Sequence, residues 1–244
     1  MKHDFNDGKG PVPAHKHKNG QGWVADTAQV SNTAYIGPGA KVYGNAIVYD
    51  NAHVYGDAKV YGDAWVLGYA KVFGKAQVYG NARVFGNARV YGNARVYGNA
   101  SVSEKAKVFG DAWVLGNTKV LGNAQVSGKA QVYGNAWVYG DAKVLGNTKV
   151  LGNAQVSVKA QVYGNAWVYG NAQVSGKAQV SGKAQVHGNA SVYGDAQVFV
   201  PINFDCDFNP WKIIQDILKN RELLPLLINL HPNLDKIIEH FLKE

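Results

Sequence analysis

The sequence predicts an all-β chain built as a solenoid of about ten triangular coils, followed by a helical C-terminal segment. Two observations predict the solenoid. Val recurs at every sixth residue from Val24 to Val198, with Ile36 as the one substitute, which makes thirty units without an insertion. Ala stands four residues after each Val from Ala28 to Ala196, except at Thr118 and Thr148. A repeat this regular is the mark of a stacked architecture, in which each unit is the wall of the next. The third observation predicts the helical end: the period breaks at residue 201, and apolar residues then fall at helical spacing.

Three segments follow in order. Residues 1–22 carry Gly, Pro, His and Lys without periodicity and read as a lead, an arm or an N-terminal plug. Residues 23–200 hold the repeat. Within a unit the order Ala, variable, Val is the apolar, polar, apolar alternation of a strand with one buried face. The residues after Val, most often Gly-Asn or Gly-Asp, supply the positive-φ tolerance of a tight corner. A helix is excluded there, because Gly every six residues and β-branched Val at the apolar positions both oppose it. A lining of Val and Ala alone suits the narrowest closed polygon, a triangle with three units to the coil. Thirty units then make ten coils, about 48 Å long at the usual strand spacing. In residues 201–244, Asn209-Pro210 reads as a helix start, with Trp211, Ile214, Ile217 and Leu218 on one stripe, then Leu234, Ile237, Ile238, Phe241 and Leu242 on a second. Some forty residues are few for an independent core, so this segment is expected to cover the last coil or to pack against another subunit.

Composition bounds the class. Hydrophobic residues make up 46% and charged residues 17%, which excludes a disordered chain. No apolar run approaches a membrane span and the opening residues lack a signal-like apolar core, so a cytoplasmic location without membrane contact is expected. One cysteine, Cys206, excludes an intrachain disulfide framework. The net charge of +8 arises in the repeat, where 16 Lys and Arg face 8 Asp and Glu; the lead adds +2 and the C-terminal segment −2. This balance suggests acidic partners.

The segment I-G-P-G-A at Ile36–Ala40 and the V-x-x-x-A frame of every later unit resemble the hexapeptide repeat of left-handed parallel β-helices, the fold of many bacterial acyltransferases. The V-Y-G-N-A variant looks most like repeat proteins of bacteria and their phages. The resemblance covers the whole repeat from Val24 to Val198 and implies a left-handed parallel β-helix and a trimeric habit. One departure is that Tyr, Phe, Leu or Ser follows the Val, and Gly comes one place later.

With three units to the coil, units three apart stack on one face. One row then reads Tyr35, His53, Lys71, Arg89, Lys107, Gln125, Lys143, Gln161, Gln179 and Gln197, and beside it run Tyr55, Phe73, Tyr91 and Phe109. Lys71, Arg89, Lys107, Phe73, Tyr91, Phe109 and His53 are thus the candidate binding residues for an anionic polymer, nucleic acid or acidic glycan, held by charge and by ring stacking. The alternative is a solvated ladder of long side chains. Arg83, Arg89 and Arg95 fall on three different faces and line no common groove. Gly110–Ser127 recurs at Gly140–Ser157 with only Trp113 exchanged, for Lys143, and this shift of five units is no whole number of coils, which argues against an extended flat array.

Catalytic readings find less. Acyltransferases that the chain resembles typically use a His at a subunit boundary beside a loop ejected from the prism, and no unit here carries an insertion. Only His53 and His187 lie in the repeat, too few for the three-His zinc site of related carbonic anhydrases. His3, His15 and His17 could chelate a metal but read more simply as part of the lead. No catalytic residue, metal site or cofactor is assigned. Outward Trp23, Trp65, Trp113, Trp137 and Trp167 are either a contact surface or stacked packing. The expected function is a non-catalytic scaffold or binding protein, a homo-oligomer with a trimer favoured. The alternative is an acyl-CoA-dependent acyltransferase.

Overall fold

The computed structural model describes residues 1–199. Every unit becomes a short strand, of two residues in all but the first, and a corner. The first repeat strands are β3 (Trp23–Ala25), β4 (Gln29–Val30), β5 (Tyr35–Ile36) and β6 (Lys41–Val42), and β6 returns to lie parallel beside β3, with Trp23 opposite Lys41. That register of three units holds throughout: Lys71 lies opposite Arg89, and Arg89 opposite Lys107. Thirty strands therefore sort into three parallel faces, about ten turns of a β-solenoid. We number the faces by their first strands: the first face contains β3, the second β4 and the third β5.

The pairing continues round the corners, which is why strands of two residues suffice. Lys71 donates its N–H to the Ala88 carbonyl at 2.9 Å, Phe73 to Val90 at 3.0 Å, and Lys75, in the turn, to Gly92 at 2.8 Å. Val and Ala side chains point inward as one continuous core, nearly all fully buried. Thr118 and Thr148 occupy Ala positions and are equally buried, their hydroxyls without a hydrogen-bond partner.

The lead is built onto the first face. β1 (Lys2–Asp4) and β2 (Pro11–Lys16) form an antiparallel hairpin, and β2 runs antiparallel to β3, so the first face has twelve strands and the others ten. Phe5 is buried with Ala14, Ala25 and Tyr43 and lies over the Tyr43 ring at 4.8 Å. Residues 19–22 close the third face at the same end: Ile36 donates to Asn19 O, and Gly22 to Ile36 O. Among the described residues, no helix is long and apolar enough to cross a membrane. The helices expected over residues 201–244, and the end cover they would supply, lie outside the described residues.

Candidate anionic-polymer interface

On the third face the strand row runs His53, Lys71, Arg89, Lys107, Gln125, each residue paired with the next across coils. Their side chains face outward because Val and Ala on either side must face inward. Three consecutive cations are thus stacked at about 4.8 Å spacing, an arrangement that disfavours folding. The longest run on either other face is two, Lys41 and Lys59. Among the described residues the ion pairs are His15–Asp26 and Lys177–Asp195, so no carboxylate neutralises the row. His53 begins it, its pKa held below the ordinary imidazole value by burial and then by the Lys71 ammonium.

The corners on either side of the row differ. On the trailing corner Tyr55, Phe73, Tyr91 and Phe109 stack on one another, with centroids 4.8–4.9 Å apart and planes within 2° of parallel. The expected neighbours are therefore all in place, but Phe73 and Tyr91 each have a ring on both faces, while Tyr55 and Phe109, at the ends of the stack, each have a ring on one. Phe73 and Tyr91 therefore present only their edges to a ligand, and of the three rings expected to offer stacking surfaces only Phe109 keeps a face without a ring on it.

The leading corner carries residues that sequence sorting passed over. Lys105 joins Arg89 and Lys107 around an open depression, completed by Asn87, Asn123 and Gln125. The column reads Asn51, Tyr69, Asn87, Lys105, Asn123, aligned by the bonds Tyr69 N–H to Gly86 O and Asn87 N–H to Glu104 O. Sorting corner residues as well as strand residues by every third unit would have found them. Tyr69 is 62% exposed, and among the described residues no ring stacks on it and no cation covers it.

The other faces use their cations differently. Arg83 lies over Trp65 at 4.8 Å, Arg95 over Trp113 at 5.2 Å, Lys119 over Trp137 at 4.3 Å and Lys149 over Trp167 at 4.4 Å, each from an adjacent coil. Trp23 is covered by Lys16 of the hairpin and by the His3 ring, stacked at 4.1 Å. The outward Trp residues are thus packed pairs, worth roughly 0.5–1 kcal/mol each at exposed sites.

The lead His residues face separate partners. His3 stacks on Trp23, His15 Nδ1 lies 2.8 Å from Asp26, and His17 is buried with Nδ1 at 3.1 Å from Asn19 O. His187 stacks on Tyr169.

No curated protein matches the chain. Five stretches, residues 40–56, 76–88, 88–104, 130–148 and 160–176, match the family model described as YdcK Beta solenoid repeat, and the coils of this chain are similar to that repeat.

Proposed function

We propose that the protein is a non-catalytic β-helix scaffold that binds an anionic polymer along its third face. The observation that carries this reading is the run Lys71, Arg89, Lys107 with Lys105 beside it, stacked without carboxylate or aromatic cover while most cations on the other strand rows lie over Trp rings. Side chains that work against folding through mutual repulsion, yet lie along one line, fit a role in contacting negative charge. The coils are left-handed in this reading, as the resemblance to hexapeptide repeats implies, and the assembled form is a homotrimer.

The test is binding of fluorescent dextran sulfate across a salt series. Replacing Lys71, Arg89 and Lys107 together by Gln is expected to weaken binding at least roughly tenfold at low salt and to lower the logarithmic salt slope by about two to three. Unchanged affinity in that variant overturns the reading. Acyl-CoA turnover that disappears in His53→Ala overturns it in favour of the acyltransferase.

A further inference from the structure

Resting on that reading, we infer that the occupant of the third face is an acidic polysaccharide of hexuronate type, with Tyr69 as the platform for one sugar ring. The polymer class turns on what the aromatic side chains still have to offer. Stacking-based binding of single-stranded nucleic acid needs free ring faces in series, one for each base held. Phe73 and Tyr91 cannot supply them, because both faces of each are already closed by neighbouring rings at 4.8–4.9 Å, and Phe109 keeps only the single face turned away from Tyr91. Of the described rings on the leading corner beside these cations, none of which has another ring stacked on it, Tyr69, two residues before Lys71, is the most exposed, at 62% against 40% for Tyr49 and 39% for Phe85.

The polar groups point the same way. On the corner between the first and second faces, Asn81, Asn99 and Asn117 begin an unbroken ladder that runs to Asn189, in which each side-chain amide donates to the next. On the leading corner of the third face no such ladder can run, because Tyr69 and Lys105 interrupt the column on both sides of Asn87. Among the described residues, the Asn87 amide is accordingly without a side-chain hydrogen bond, and so is that of Gln125 on the neighbouring strand row. An amide offers a donor and an acceptor together, which is what a sugar hydroxyl asks for. The Arg89 guanidinium in the same depression can hold a carboxylate with two parallel bonds, and Lys105 and Lys107 add point charges. Hydroxyls, a carboxylate on each ring and an apolar ring face occur together in a polyuronate.

The experiment compares polygalacturonate with poly(dT), each titrated against the full chain, its Tyr69→Ala and Tyr91→Leu variants and the Lys71/Arg89/Lys107→Gln variant. Tyr69 is exposed, so its replacement leaves the core untouched. The expected result is tighter binding of polygalacturonate than of poly(dT), weakened roughly tenfold by Tyr69→Ala, equal to about 1.4 kcal/mol, and by less than about twofold in Tyr91→Leu, whose ring has no free face. Tighter poly(dT) binding that is lost in the triple variant overturns the polysaccharide while leaving the groove in place. Polygalacturonate binding that ignores Tyr69→Ala also overturns it. If neither polymer responds to the triple variant, the groove reading itself falls.

Discussion

Val158 breaks the rule of its own column. In the turn where other units place Gly, it holds φ at 60°, a left-handed conformation that is a genuine outlier for a β-branched residue. Asp50 and Glu104 take the same region with less crowded side chains. The strain of left-handed backbone is roughly 1–2 kcal/mol, and Val158 recovers little by burial since it is 52% exposed. Val158→Gly should therefore stabilise the protein by about 1 kcal/mol, the lower end of that range, seen as a higher denaturation midpoint. The reverse change one coil on, Gly176→Val, should cost more, because a Cβ there would lie 2.7 Å from Gly194 N. A lower midpoint for Val158→Gly would contradict the account. Thr118 and Thr148 are a second departure of this kind: each buries a hydroxyl without a partner, at a cost of about 1–3 kcal/mol.

Columns of like side chains are the elements that tie coil to coil outside the core. Aromatic columns do so by stacking, from Phe5 through Tyr43, Tyr61, Tyr79 and Tyr97 on one corner. Burial and then the neighbouring phenols raise the pKa of Tyr61 and Tyr79. The Asn ladder does so by hydrogen bonding, and its one gap has a chemical cause. Asp63 accepts from Asn45 at 3.0 Å but, as a carboxylate, has no N–H to pass on to Asn81, so the ladder stops there and restarts at Asn81. Asp63→Asn should join the two parts and raise stability by about 0.5–1 kcal/mol. Asn117→Asp should lower it by a similar amount, since it keeps the bond from Asn99 and loses the one to Asn135. Urea midpoints of the two variants moving in the same direction would refute the ladder's role.

At the scale of the molecule, the solenoid presents three unlike sides. Trp65, Trp113, Trp137 and Trp167 on the first and second faces are still 37–40% exposed despite their cation cover, while the described third-face row has no Trp. Rings half open on two sides fit subunit packing that leaves the third side free for a polymer. The proposed trimer has three times the chain mass of 26.3 kDa. Sedimentation equilibrium at micromolar concentration should return that value, and a monomer would overturn the proposal.

The repeat, the three-unit coil, the inward Val and Ala and the pairing of Lys71 with Arg89 were all legible from spacing, because a period-two strand closed every six residues leaves one way to bury its apolar positions. The row of cations was legible for the same reason. Tertiary structure decided what that spacing leaves open, namely what each outward side chain does with its neighbour one coil away. Spacing placed Phe73 beside Lys71, but only the stacked geometry showed its faces closed; it placed Trp113 on the surface, but not under Arg95. The lead lacks a period altogether, so its hairpin and the burial of Phe5 depend on contacts with residues 23–43 that no local pattern announces. Backbone periodicity fixes direction, whereas side-chain partnership depends on rotamers and on the chemistry of the residue stacked above or below.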